Sequence, residues 1–266
     1  MEQQAAPPSY DRTFENFNSP LMQKFRELAY GKDVGQHSWT TTDELEELCE
    51  SIKKDSNIID VGCGAGGPLT YIADRTECSG TGLDLSEAAI RIAQGRAREL
   101  GVSSRVSFLR ADCEMPLPLP RNSFDVALSI DVILHLRNRA LLLSRVHQVL
   151  RPGGTLIFTD AGVMTGIMTE SERERRTFFG YTQFAPEGAN EEFIARAGLS
   201  LRSTIDSTDR LIATASNRLR ARQTLSNEFV SFEGQEAFLK QNTYLETIID
   251  LAERRILSRF TYTASA

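Results

Sequence analysis

The sequence predicts an α/β protein built on a doubly wound, Rossmann-like sheet with added helices. Three observations predict it. The stretch "NIIDVGCGAGGPLTYIADRT" at 57–76 reads as a buried strand, a glycine-rich turn and a helix. From there to residue 160, short apolar strands alternate with helical periodicities, the pattern of parallel strands joined by crossover helices. Asp60, Asp84 and Asp112 stand at the ends of the first three strands, where open α/β sheets bind ligands.

Each element has a local reason. The first 20 residues are polar and proline-bearing and read as a flexible arm. "SPLMQKFRELAY" follows as an amphipathic helix, with Leu21, Phe25 and Leu28 at helical spacing. "TTTDELEELCESI" is a second helix, opened by threonine and aspartate caps and an acidic first turn. Residues 57–61 form a strand, and a helix starts near Gly67. "GTGLDL" ends the second strand, and Ser86 caps the helix "SEAAIRIAQGRAREL". "RVSFLRAD" and "FDVALSI" are the third and fourth strands. "NRALLLSRVHQVL" is a helix closed by "RPGG", and "TLIFTD" is the fifth strand.

Beyond residue 161 the rhythm breaks. "NEEFIARAG" is a short helix and "LSLRSTID" a strand, followed by a long helical stretch and a final strand, "LSRFTYTAS". A sheet already covered on both faces leaves only its ligand-binding edge for these helices. Residues 21–266 thus form one domain, with cap segments at 161–190 and 209–253.

Composition bounds the function. The chain has 266 residues, 41% hydrophobic and 25% charged, as a soluble globular protein does. A net charge of −6 argues against a protein that coats nucleic acid. No apolar run is long enough for a membrane span, and "MEQQAAPPSYDRTFENF" lacks the features of a signal peptide, so the expected location is the cytoplasm. The four cysteines show neither CxxC pairing nor histidines at metal-ligand spacing; no metal site is expected. The sequence says nothing of oligomeric state.

"GCGAGG" satisfies GxGxxG through Gly62, Gly64 and Gly67, a pattern that nicotinamide- and flavin-binding folds share. The acids narrow it. Asp60 lies two residues before Gly62, where it can organise the turn and, through water, meet a ligand ammonium. Asp84, about twenty residues on, suits a ribose diol, and Asp112 an exocyclic adenine amine. An acid beside a helix start disfavours pyrophosphate, which seeks a bare positive end. Cys63 reads as a small filler rather than a thiolate.

These residues resemble the class I S-adenosylmethionine-dependent methyltransferases. "IIDVGCGAGG" looks like their first motif, "TGLDLS" their ribose-binding acid, "RADCEMPLP" their adenine motif, and "LRPGG" the turn before strand five. The resemblance covers about residues 55–160 and implies a seven-stranded sheet with its last strand antiparallel, and S-adenosylmethionine as cofactor. It further implies that Gly62 and Gly64 contact the methionine portion, Asp84 and Leu85 the ribose and adenine, and Asp112 and Cys113 the adenine amine and ring. Ile130 would lie near the sulfonium.

On the acceptor side, "SIDVILHL" resembles the corresponding segment of phosphoethanolamine methyltransferases and of related sarcosine/dimethylglycine and secondary-metabolite enzymes. There an aspartate and a histidine line the catalytic pocket, and Asp131 and His135 match both. A carboxylate beside a histidine can orient it as a proton acceptor. The segment holding Gln36, His37 and Ser38 folds over the methionine end in similar enzymes; Trp39 either joins that closure or staples the next helix. Departing from the phosphoethanolamine pattern, no basic cluster marks a phosphate pocket, and "SERERR" at 171–176 reads as a solvated face. The expected reaction is methyl transfer to a small molecule, at nitrogen or oxygen. Alternatives are carbon methylation in a natural-product pathway or cofactor binding without chemistry.

Overall fold

The computed structural model describes residues 8–177 and 181–266. Strands β1 (Asn57–Val61), β2 (Ser79–Asp84), β3 (Val106–Arg110), β4 (Phe124–Ser129), β5 (Leu150–Met164), β6 (Ala185–Pro186), β7 (Ser200–Asp206) and β8 (Leu257–Ser265) form one sheet. Its order is β3-β2-β1-β4-β5-β8-β7. β1 to β5 pair in parallel, and β8 runs antiparallel to both β5 and β7. The seven expected strands are therefore present, with the last one antiparallel. The eighth, β6, is a two-residue addition beside the far end of β5.

Helices α1 (Pro8–Glu15), α2 (Pro20–Tyr30) and α3 (Thr42–Ser51) precede the sheet. α4 (Gly67–Thr76), α5 (Glu87–Glu99), α6 (Arg139–Val149) and α8 (Ala189–Arg196) connect its strands. Between them lie a single turn of 3-10 helix at Ile133–His135 and a short helix, α7 (Glu170–Arg176). α9 (Thr208–Thr224), α10 (Ser226–Glu233) and α11 (Gln235–Glu253) fill the gap between β7 and β8. The caps follow the sequence: Thr41 and Glu44 form a full capping box on α3, and Ser86 accepts from the Ala89 N–H on α5.

Two apolar clusters cover the faces of the sheet. One gathers Ile59, Phe124, Leu142 and Phe158; the other gathers Ile58, Leu69, Ile72 and Phe108. A third joins Trp39 and Ala161 to Leu211, Tyr244 and Ile248 of α9 and α11. The cap helices therefore pack where β5 leaves the sheet. α2 meets them through Phe25, Phe229 and Phe238.

Three expectations need correction. Residues 8–20 are not a loose arm: α1 forms, and Phe14 and Phe17 are buried against Ala65 and Ala89. Phe14 on the helix and Phe17 in the turn just after it together anchor a short helix that would not hold alone. The expected boundary at 161 falls inside β5, which continues to Met164 past an irregularity between Asp160 and Val163. "SERERR" is not a solvated face either: Glu172 and Arg176 are buried, because Glu172 caps its own helix and Arg176 turns inward to Tyr244. "FFGYTQF" falls partly outside the described residues.

Candidate active site

The glycine turn is shaped by its neighbours. Gly62 has φ +78°, and a Cβ there would stand 2.4 Å from the Val132 side chain. A Cβ on Gly67 would meet the Val34 and Gly35 backbone at 2.5 Å. Only glycine lets the 34–36 segment rest on the start of α4. The N–H groups of Gly62 and Cys63 both donate to the Leu83 carbonyl, which ties the turn to β2. Asp84 completes the tie, accepting from the N–H of Gly64 at 2.9 Å and of Ser86 at 2.8 Å.

Asp60 stands apart. It is 2% exposed, and its Oδ2 has no hydrogen-bond partner among the described residues. Burial, with the nearby Asp84 charge, raises its pKa to about 7. The spare oxygen leaves Asp60 able to accept a further hydrogen bond. On the far side of the turn, the Asp112 carboxylate accepts from the Glu114 N–H, and the Arg110 guanidinium donates to the Leu85 carbonyl. Burial pushes the Cys113 thiol up to about 12 and raises Cys63 as well, so neither is a thiolate.

Helix α1 closes this end. Phe14 lies 3.6 Å from where a Cβ of Gly64 would be, and Ser86 donates to Asp11 at 2.5 Å. The rings of Phe14 and Phe17 meet His37 edge-on, each at 6.3 Å between centroids. Sequence reasoning missed this contribution, although the spacing of Phe14 and Phe17 carried it.

Gln36 and Ser38 serve the loop itself. The Gln36 side chain accepts from the Val34 N–H and donates to the Lys32 carbonyl; Ser38 accepts from Thr40 N–H and, through its carbonyl, from Tyr30 Oη. Ile130 is buried with Val34, Leu45 and Tyr71.

His37 and His135 are exposed by area, yet burial is the main cause of the lowered pKa of each, His37 falling to about 3. The two histidines are near enough to act on each other electrostatically. Two surface grooves, of about 560 and 400 Å³, touch neither ring. His135 Nδ1 lies 3.0 Å from the Tyr181 carbonyl. A carbonyl only accepts, so Nδ1 carries the proton and Nε2 keeps a free lone pair.

Asp131 does not pair with His135 as expected. Its Oδ1 accepts from Thr159 Oγ1 at 2.8 Å and Arg259 Nε at 3.0 Å; its Oδ2 accepts from the Trp39 N–H at 2.8 Å. The residue adopts φ +55°, a costly conformation held by the bond from its own N–H to Thr159. Arg259, 0% exposed, also holds Glu44, Thr40 and Ser207. Sequence spacing could not reveal this: the arginine that claims Asp131 lies 128 residues away. Asp131 fastens the Trp39 segment to β5 and β8, and the Tyr181 carbonyl orients His135.

The chain is similar to known proteins in sequence and in fold. The "Methyltransferase domain" family matches residues 52–195. Phosphoethanolamine N-methyltransferase 3 of Arabidopsis thaliana is 33% identical over 155 residues, 56% of this chain and 31% of that protein. The 27-O-demethylrifamycin SV methyltransferase of Amycolatopsis mediterranei is 30% identical over 168 residues, 62% of this chain and 61% of the relative. The chain thus spans about a third to three-fifths of the length of these relatives. Phosphoethanolamine N-methyltransferase 2 of Haemonchus contortus, solved with S-adenosyl-L-methionine, superposes with a TM-score of 0.81 at 19% identity, covering 98% of this chain and 60% of that one. The chain belongs to the class I S-adenosylmethionine-dependent methyltransferase family.

Proposed function

We propose that the chain transfers a methyl group from S-adenosylmethionine to a small-molecule acceptor, at nitrogen or oxygen. The observation that carries this reading is Asp60, a buried carboxylate with an unpartnered oxygen beside a positive-φ glycine turn. A pyrophosphate would be repelled by Asp60 and Asp84; a nucleoside bearing an ammonium group is attracted. Asp60 would take that ammonium through water, with Gly62 and Gly64 admitting the methionine portion. Asp84 would hold the ribose, Leu85, Asp112 and Cys113 the adenine, and Ile130 the reacting end. When bound, S-adenosylmethionine supplies an activated methyl group on a positively charged sulfur.

The chain's own work is alignment and proton management. Holding the attacking atom in line with the methyl group contributes up to ~7–11 kcal/mol. The acceptor would lie beside His135 and His37, with segments 161–190 and 209–253 as its cap. His135 Nε2, uncharged near neutrality, accepts a proton from an acceptor that must lose one. Asp131 is a positioning residue, acting through the Trp39 segment. The names of the relatives span nitrogen, oxygen and carbon acceptors, which supports methyl transfer to a small molecule without choosing the atom. Four free thiols and an acidic balance support a cytoplasmic protein that uses neither nucleic acid nor membrane. No helix among the described residues is long and apolar enough to cross a membrane.

Calorimetry with S-adenosylmethionine, its demethylated product and NAD, followed by turnover with a panel of small amines, alcohols and phenols, tests this. The reading predicts binding of the first two ligands, none of NAD, and methylated product from at least one acceptor. Binding of NAD in their place would overturn it.

A further inference from the structure

The segment that orients His135 is itself held from the other side. His135 Nδ1 lies 3.0 Å from the Tyr181 carbonyl, and the neighbouring Leu134 carbonyl accepts from the Gln183 N–H at 2.7 Å. Residues 181–183 therefore run beside the 3-10 turn at Ile133–His135, just ahead of β6. The Gln183 carbonyl accepts in turn from Arg139 Nη2. With both its backbone groups committed, Gln183 has the peptide plane on each side of it fixed.

Arg139 anchors that arrangement. It opens α6, four residues after His135, and is 2% exposed. Its Nη1 donates to the carboxylate of Asp160 on β5 and, at 3.0 Å, to Asn190 Oδ1 on α8. Asn190 Nδ2 donates to Asp160 Oδ2 at 2.8 Å, and the Gly162 N–H to Asp160 Oδ1 at 2.8 Å. Asp160 and Asn190 are both buried, so the guanidinium is gripped by the frame of the sheet. A buried ion pair is weak evidence of stability, and its use lies rather in the arrangement it holds. Here one planar fork reaches Asp160, Asn190 and the Gln183 carbonyl together, which the point charge of a lysine does not match.

Resting on the reading of His135 as the proton acceptor, we propose that Arg139 is its positioning residue. Arg139 holds residues 181–183 against the turn and so keeps the His135 proton on Nδ1 and the lone pair on Nε2. Which nitrogen of a neutral imidazole carries the proton is set by the hydrogen bond it makes. Without the Arg139 bond the Tyr181 carbonyl is released from the ring, Nδ1 loses its acceptor, and the proton divides between the two nitrogens. A ring protonated on Nε2 cannot take a second proton there without first becoming charged at the wrong nitrogen.

Nitrogen NMR of the protein labelled in its histidines, at about pH 8 where ordinary imidazoles are neutral, reads each tautomer directly. Wild type is compared with Arg139→Lys and Arg139→Met, and His135→Asn assigns the His135 signals. His147 is the internal control, because its Nδ1 makes a like contact with the Ala197 carbonyl at 2.8 Å. Wild type is expected to show both rings protonated on Nδ1. In the variants the two His135 nitrogen signals should move toward each other as the tautomers mix, while the His147 pair stays in place. Arg139→Lys keeps a cation beside Asp160, so it decides if Arg139→Met fails to fold. An unchanged His135 pair in either folded variant, or a wild-type His135 protonated on Nε2, overturns the proposal. So does a change at both His135 and His147 in Arg139→Lys, which would make Arg139 a residue of the fold alone. The measurement needs no acceptor: wild-type turnover in His135→Ala would strike the proton-acceptor reading and leave the tautomer result standing.

Discussion

Two regions of the interior carry opposite buried charge. On the glycine-turn side stand Asp60 and Asp84, the first with a spare oxygen and the second tied to backbone N–H groups. On the cap side stand Arg176 and Arg218, paired with no carboxylate among the described residues. Elsewhere in the molecule, buried charges are matched within the fold, as Arg259 is by Asp131 and Glu44. Matched charges organise structure, whereas Asp60, Arg176 and Arg218 each keep a buried polar atom without a hydrogen-bond partner.

The largest expected effect lies at His135. His135→Ala should lower turnover by ~10²–10⁴-fold for an acceptor that must lose a proton, with S-adenosylmethionine affinity unchanged. Steady-state kinetics beside calorimetry checks it, and equal turnover in the variant would leave alignment as the only catalytic device. Matched and unmatched arginines can then be set against each other by urea unfolding. Arg259→Met strands Asp131 and Glu44 and should cost ~3–5 kcal/mol, whereas Arg218→Met removes an uncompensated charge and should change stability by less than ~1 kcal/mol. Comparable losses in both would erase the distinction. A smaller effect belongs to Asp84→Asn, which weakens charge-assisted bonds and should reduce cofactor affinity by ~1.5–3 kcal/mol. An unchanged dissociation constant would remove Asp84 from the site.

Legibility in the sequence followed the range of the interactions. Residues 57–61, the turn at 62–67, the Ser86 cap and the strand-end acids were readable because each is set by neighbours within a few positions. Strand eight was readable as a strand, and its antiparallel role followed only from the family resemblance. Contacts made across the chain were not readable. Arg259 reaching Asp131, Arg176 turning in to Tyr244, and α1 folding back so that Phe14 covers Gly64 all join residues far apart in sequence. "SERERR" shows the limit plainly: alternating charge looks solvated, yet one arginine of the run lies in the interior.

The most direct test of the central claim is the pH dependence of S-adenosylhomocysteine binding. Free Asp60 has a pKa raised to about 7, and a bound ammonium would favour its ionised form. Below that pKa the carboxyl must release a proton before the ligand binds; above it the group is already charged. Affinity should therefore hold steady above about pH 7 and fall by roughly tenfold per unit below it. Asp60→Asn should flatten that profile at the weaker level. A wild-type affinity that stays constant down to about pH 5, or an Asp60→Asn variant that keeps the wild-type slope, would contradict Asp60 as the receptor for the cofactor's cationic end.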